Sequence, residues 1–169
     1  MSHSNRRDLL TALPILTGAL VVASSACAEQ TAGQSSNEAS ATPAVGRGTL
    51  GPARAIPFDS VAATPTANGG DRRVMLRGSL ETGEKVELHQ STQMPGTPAP
   101  ALHVVHHSEM IMVREGTLKV DHEVDGRVVS ETVGPGGVFY VAYGTKHAAS
   151  NVGMTPARYF VVQIGGDVK

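Results

Sequence analysis

Short runs in which apolar and polar residues alternate fill the chain from about residue 72 to its end. Alternation with a period of two is typical of β-strands that bury one face. Glycine, proline and charged residues separate the runs, and no run has the period of an amphipathic helix. The runs cover 72–80, 84–94, 108–124, 126–133, 136–143, 146–152 and 157–164. The pattern predicts about eight strands in an all-β fold, either a small barrel or a jelly roll.

Turn residues fix part of the order of these strands. Asp125 and Gly126 stand between two valine-rich runs, which is a hairpin signal. The glycines and proline of 133–137 exclude a regular strand and predict a second turn. A further strand is possible at 55–61, where Pro57 would confine it to a sheet edge.

The first residues have the features of an export signal. Arg6 and Arg7 precede an uncharged, largely apolar stretch at 9–28 whose apolar part is too short for a stable membrane anchor. Residues 1–28 are therefore predicted to be a signal peptide. The order of residues 5–10 resembles the twin-arginine pattern, which implies export of a folded protein to the periplasm or beyond.

Two ways of processing this signal remain open. Ala26-Cys27-Ala28 fits the small-x-small rule for cleavage before Glu29. Lipidation of Cys27 would instead anchor the protein to a membrane, and this is the only predicted membrane contact. Residues 29–70 form a linker, and its first half is rich in Ser, Ala, Thr, Gly and Pro without apolar periodicity. We expect this linker to be disordered, apart from the possible edge strand.

Composition limits the protein to one modest domain, predicted at residues 71–169. The chain has 169 residues, of which 40% are hydrophobic. Fourteen Lys and Arg against fifteen Asp and Glu give a net charge of −1 without long runs of one sign, which argues against nucleic-acid binding. The single cysteine cannot form an intrachain disulfide, so stability must come from a packed core or a bound metal.

Histidines cluster in the middle of the chain and carry the candidate chemistry. His103, His107 and Glu109 share the parity of one strand face, and His147 lies in a later strand. Imidazoles and a carboxylate inside a barrel suit a divalent transition ion such as Mn, Fe, Ni or Zn. His106 would need a bulge to turn inward, so His107 is the preferred ligand of the two. The remaining histidines of the predicted strands, at 89 and 122, alternate with apolar neighbours and are expected to face outward.

Two motifs resemble those of the cupin superfamily. The second cupin motif, G-x5-P-x-G-x2-H-x3-N, is matched from Gly136 to Asn151, with Ala142 in place of the proline. The first, G-x5-H-x-H-x3,4-E-x6-G, is matched by His103, Glu109 and Gly116. The resemblance covers roughly residues 71 to 166 and implies a single cupin β-barrel, or jelly roll.

The resemblance also implies a metal site of three His and one Glu. His103, Glu109 and His147 carry over onto matching positions, whereas Val105 occupies that of the second His. His107 is the candidate substitute ligand. Val105 would form an apolar wall of the pocket, and Asn151 is expected to satisfy backbone groups rather than bind metal.

Three classes of function remain open. A metal-dependent cupin enzyme could be a dioxygenase, an isomerase or a lyase acting on a small molecule. A second class is a binding module that holds a small ligand in the barrel. A third is an interaction domain at the cell envelope with a degenerate metal site. A homodimer is expected, with Met110, Met112, Val128 and Val129 as candidate contacts if Ile111 and Val113 point inward.

Overall fold

The computed structural model describes residues 45–169, and the side chains from residue 48 onward. The predicted signal peptide, Cys27 and the linker up to residue 44 lie outside the described residues. Within 45–169, no helix is both long and apolar enough to cross a lipid bilayer.

Strands dominate the described part of the chain, as the alternation predicts. Eleven strands are present there, numbered in chain order: β1 Val45–Thr49, β2 Thr64–Pro65, β3 Asp71–Ser79, β4 Lys85–Gln93, β5 His103–Val104, β6 Ser108–Glu115, β7 Leu118–Val124, β8 Arg127–Val133, β9 Val138–Val141, β10 Lys146–Asn151 and β11 Ala157–Ile164. Residues Phe58–Ser60 add a single turn of 3-10 helix. The fold class is therefore all-β, with nine strands in the predicted barrel region.

The strands form two sheets in a jelly-roll arrangement. The larger sheet has the order β1-β3-β4-β11-β6-β9, with β2 paired to β3. The smaller sheet has the order β5-β10-β7-β8. Strands that are neighbours in a sheet, such as β4 and β11, are often not consecutive in the chain, so residues far apart in sequence share one interior.

Apolar residues from both sheets fill that interior. The core cluster consists of Val105, Ile111, Val113, Leu118, Val120, Phe139, Val141, Ala157, Tyr159 and Val161. In β6 the buried positions alternate with half-buried ones. Ile111 and Val113 therefore point inward together with Glu109, as the sequence predicts.

Both predicted turns are confirmed. The hairpin between β7 and β8 turns at Asp125 and Gly126, which both have positive φ, at 49° and 73°. This is the conformation that a two-residue Asp-Gly turn favours. The glycine-rich segment at 134–137 connects β8 to β9, where Gly137 N–H donates to Gly134 O.

The prediction for the segment before the barrel is wrong in two respects. Residues 55–61 do not form a strand, because Ser60 Oγ donates to Pro57 O and closes a turn instead. Part of the predicted disordered linker is also ordered, since β1 and β2 pair with β3. Arg73 lies over the Phe58 ring and donates to Val61 O, which docks this segment on β3.

Candidate metal centre

The smaller sheet brings three histidines into one cross-strand row. His147 of β10 pairs with His103 of β5 on one side and with His122 of β7 on the other. Directly paired residues point to the same face of a sheet. The rings of His103 and His147 lie 4.9 Å apart between centroids. Hairpins and crossovers therefore assemble imidazoles that are distant in sequence.

The larger sheet supplies the carboxylate. Glu109 of β6 faces the interior, and its Oε2 lies 3.4 Å from His147 Nε2. Its other oxygen, Oε1, accepts a 2.8 Å hydrogen bond from Gln163 Nε2. His107 Nε2 lies 2.7 Å from the same Oε1. One carboxylate oxygen is thus held by protein groups, while the other faces His147.

Glu109 is ionised despite its burial. Burial by itself raises the pKa of this carboxyl. The contacts with His147, His107 and Gln163 outweigh that effect and lower the pKa of Glu109 to about 2. The cavity therefore presents an ionised carboxylate next to His147.

A cavity of about 150 Å³ connects three of the predicted site residues. Its polar lining consists of Gln93, His103, Glu109, His147 and Tyr159. Its apolar lining consists of Pro100, Ile111, Ala149 and Val161. Sequence patterns gave no indication of Gln93 and Tyr159, whose side chains bond to each other at 3.1 Å.

His107 occupies a different place from the other three. Its ring is buried, but it is not among the residues that line the cavity. Nε2 contacts Glu109, and Nδ1 lies 2.5 Å from Asp167 Oδ1. Burial lowers the pKa of His107, but bonding to the two carboxylates raises it overall. Neither ring nitrogen of His107 is free to bind a metal ion in this arrangement.

Val105 also lies apart from the cavity. It is 6% exposed and belongs to the apolar core cluster. The cavity lining does not include it, so the described geometry gives it a packing role rather than that of a pocket wall. Its backbone O accepts a hydrogen bond from Gly144 N–H, which ties the second motif to the strand before His107.

Two histidines that were expected to face outward do not. His89 is 7% exposed, because it lies on the interior face of β4. The side chain of His122 is largely covered, its ring contacts Phe139 at 5.2 Å, and its Nδ1 is buried without a hydrogen-bond partner. The expectation failed because apolar neighbours are found on both faces of a strand when both faces are covered.

His89 belongs to a second polar cluster, formed with Arg72, Arg77 and Glu87. Glu87 is 2% exposed and pairs with Arg72, while Arg77 Nε donates to Glu87 Oε2 at 2.6 Å. His89 Nδ1 lies 2.9 Å from Glu87 Oε1. Burial raises the pKa of Glu87, but His89 and the two arginines outweigh it and lower the pKa to about 2. This cluster pairs two arginines with one carboxylate and lies outside the cavity lining.

Asn151 has the structural role predicted for it. Its Nδ2 donates to the backbone O of Gln93 at 3.0 Å and of Thr155 at 2.8 Å. Its Oδ1 accepts from Gly153 N–H at 2.9 Å. The asparagine of the second motif thus closes a turn next to the cavity.

The fold and this cavity define a class: an all-β jelly roll with His and Glu side chains directed into its interior. Residues 83–163 match the family model described as Cupin domain. This match and the sheet arrangement support the predicted cupin superfamily, and the fold is the cupin jelly roll. Comparison with curated protein sequences found no match.

Solved structures share this fold at low identity. A variant of oxalate decarboxylase from Bacillus subtilis is 21% identical over 66% of this chain, with a TM-score of 0.54. The match spans 29% of the oxalate decarboxylase chain. FeII HppE is 13% identical, with 62% and 56% of the two chains covered and a TM-score of 0.51.

A third similar structure is CENP-C of Drosophila melanogaster bound to CAL1. It is 11% identical, with 64% of this chain and 84% of that chain covered and a TM-score of 0.51. At such identities the likeness concerns the fold alone. A fold can carry unrelated functions, so function must be argued from the site.

Proposed function

We propose that this protein binds one divalent transition ion in the jelly-roll cavity, through His103, Glu109 and His147. The observation that carries the proposal is the meeting of two imidazoles and one ionised carboxylate on a single cavity. Nitrogen and oxygen donors of this kind suit Mn, Fe, Ni or Zn. The sequence resemblance to cupins assigns the same three positions.

All three side chains suit such an ion in chemistry, and two of them, Glu109 and His147, also suit it in spacing. Two ligand atoms that share an ion at roughly 2.1 Å lie about 3 to 3.4 Å apart. His147 Nε2 and Glu109 Oε2 are 3.4 Å apart, within this range. No three His, Cys, Asp or Glu side chains within 45–169 stand close enough together to hold an ion without adjustment. His103 is exposed, so its ring can rotate to complete the set.

A bound ion would supply Lewis acidity, or a position for dioxygen or substrate. The chain's own residues would then orient a small ligand. Tyr159 and Gln93 offer a hydroxyl and an amide to it, and Ile111 and Val161 exclude water. The cavity is below the roughly 300 Å³ of ordinary ligand pockets, which favours a very small substrate. We propose a small-molecule oxygenase, isomerase or lyase.

We also propose that the protein is exported by the twin-arginine route. The support is the arginine pair followed by an apolar stretch within residues 1–28. Folding before export would let the protein acquire its ion before it meets competing copper or zinc. Lipidation of Cys27 would add a membrane anchor.

One observation favours a second candidate function, a non-catalytic module that binds a small ligand or an envelope partner. A buried valine stands at 105, where the resemblance places a histidine ligand. A site with fewer ligands binds metal more weakly, and the cavity could then hold an organic ligand against His103 and His147.

Element-resolved metal analysis of the folded protein, purified without chelator, tests the proposal. We expect about one equivalent of a divalent transition metal per chain, lost in His147→Ala. His106→Ala is the matched control, because this exposed histidine lies outside the cavity lining and its removal should leave the metal content unchanged. A folded native protein that contains and binds no metal would overturn the proposal and favour the non-catalytic module.

A further inference from the structure

A chain of side-chain contacts runs from the surface to the cavity. Asp167, in the C-terminal tail after β11, has a half-exposed side chain. Its Oδ1 lies 2.5 Å from His107 Nδ1, and His107 Nε2 lies 2.7 Å from Glu109 Oε1. Glu109 Oε2 then faces His147. The tail thus touches the proposed metal ligand through a single buried imidazole.

The backbone of the tail is built to hold Asp167 in this place. Gly166 has a φ of +54°, and a Cβ there would lie 1.6 Å from the backbone O of His106. Asp167 N–H donates to that same oxygen at 3.1 Å. Val168 is only 2% exposed, so its burial anchors the end of the chain. Close approach, hydrogen bonding and burial all hold the tail against the bend between β5 and β6, where His107 lies.

This arrangement determines how Glu109 is presented. Oε1 is engaged by His107 on one side and by Gln163 on the other. A carboxylate held at one oxygen by two donors has little freedom to rotate, so its second oxygen stays directed at the cavity. Partners that orient a metal ligand in this way typically contribute a factor of about 10 to 100 to metal affinity.

We propose that Asp167 and His107 are positioning residues that fix Glu109 for metal binding. His107 acts behind the ligand rather than as a ligand, and Asp167 acts through His107. This inference rests on the proposed function, because it assigns roles at the same metal site.

The test is a double-mutant cycle on Co²⁺ affinity, with Co²⁺ as the probe and isothermal titration as the measurement. We expect Asp167→Asn and His107→Gln each to weaken Co²⁺ binding about 10-fold or more. Because Asp167 acts through His107, the double variant should bind Co²⁺ no more weakly than His107→Gln alone. The visible Co²⁺ spectrum should also change in both single variants, since the geometry at Glu109 changes.

Two controls separate positioning from general damage. Lys169→Ala alters the tail next to Asp167 without removing a contact to His107, and it should retain native affinity and spectrum. Asp167→Glu keeps the carboxylate and should recover part of the affinity that Asp167→Asn loses. Asp167 is half-exposed, so its variants are expected to fold, which circular dichroism would verify.

The outcomes distinguish this inference from the proposed function. Native protein that binds Co²⁺ while Asp167→Asn binds it equally well would refute the positioning role and leave the metal site standing. If the losses of Co²⁺ binding free energy in the two single variants add up in the double variant, the positioning role is refuted as well, because the two residues then act independently. A native chain that binds no Co²⁺ would overturn both the metal site and the inference that rests on it.

Discussion

Glu87 shows how a single buried carboxylate can tie stability to pH. Its pKa of about 2 in the folded protein lies below the ordinary value of 4.5. The unfolded chain therefore binds more protons between these two values, and the stabilisation is complete only above pH 4.5. As the pH falls through this window towards the folded pKa, the contribution is lost.

Glu87→Gln is expected to lower the free energy of unfolding by about 2 kcal/mol near pH 7, because two arginines lose a charged partner. The difference between native and variant should shrink below pH 4.5. Urea unfolding at several pH values measures it. Glu81→Gln, which changes an exposed carboxylate, should cost less than about 0.5 kcal/mol. A Glu87→Gln effect that does not change with pH would contradict the assignment.

At Val105 the cupin resemblance and the observed packing lead to different expectations. The resemblance suggests that Val105→His would restore a ligand, whereas the structure buries this side chain in the apolar core. We expect Val105→His to reduce stability by about 2 kcal/mol, because an imidazole without partners is costly in such surroundings. Thermal unfolding with and without added Co²⁺ measures this. A variant that is more stable than the native protein when Co²⁺ is present would show that position 105 reaches the ion.

Individual residues also show how much of the site the local sequence pattern could predict. Strand parity places Glu109 inward, and the motif spacing places His103 and His147 with it. The role of His107 could not be derived in this way, because its partner Asp167 is 60 positions away in sequence. His89 was misassigned for a related reason: Gln90 beside it is buried too, so alternation does not mark an exposed face on β4.

At the scale of elements, Gly116 explains why the first motif ends in glycine. It turns the chain between β6 and β7 with a φ of +76°, and a Cβ there would lie 2.7 Å from the Cα of Ala157. Gly126, in the β7–β8 hairpin, has a similar φ of +73° but nothing within 4 Å of its would-be Cβ. The two glycines therefore differ in packing rather than in backbone strain.

This pair gives a matched test of close packing. Gly126→Ala should lower the free energy of unfolding by about 1 to 2 kcal/mol, because an L-residue is strained at positive φ. Gly116→Ala should cost at least about 1 kcal/mol more, because β11 must also move away. Denaturant unfolding of both variants measures the difference. Equal losses of unfolding free energy in the two variants would mean that β11 moves away from residue 116 without loss of stability.

Strands could be predicted where a turn signal marked their ends. They could not be predicted where only pairing with another strand makes a segment extended. The Asp125-Gly126 hairpin follows from two residues and their flanking valines. By contrast, β1 and β2 are strands because they pair with β3. No local sequence pattern in 45–65 predicts them. The sequence predicts Phe58 in a strand. In the structure Phe58 begins a 3-10 turn, and the Arg73 guanidinium lies over its ring.

At the scale of the whole molecule, the outer face of the larger sheet has an apolar patch on β11, β6 and β9. Since Ile111 and Val113 of β6 point inward, Met110 and Met112 point outward. Met112 pairs with Val138 of β9 and with Phe160 of β11, which extends the apolar row across three strands. Val138 is 57% exposed. The row continues through Gln90 of β4 to Arg73 of β3, and Arg114 lies over the Phe160 ring, so the apolar part of this face is confined to β11, β6 and β9. An apolar patch of this kind is suited to a second copy of itself.

We therefore propose a homodimer that forms through the outer face of the larger sheet. Val128, also a candidate contact, lies on β8 at the edge of the smaller sheet and so belongs to a different surface. Met112→Glu places a charge in the proposed interface and should yield a monomer, whereas Val128→Glu, an equal change on the other sheet, should remain dimeric. Light scattering after size-exclusion chromatography distinguishes them. Dissociation by Val128→Glu alone would move the interface to the smaller sheet, and a monomeric native protein would refute the dimer.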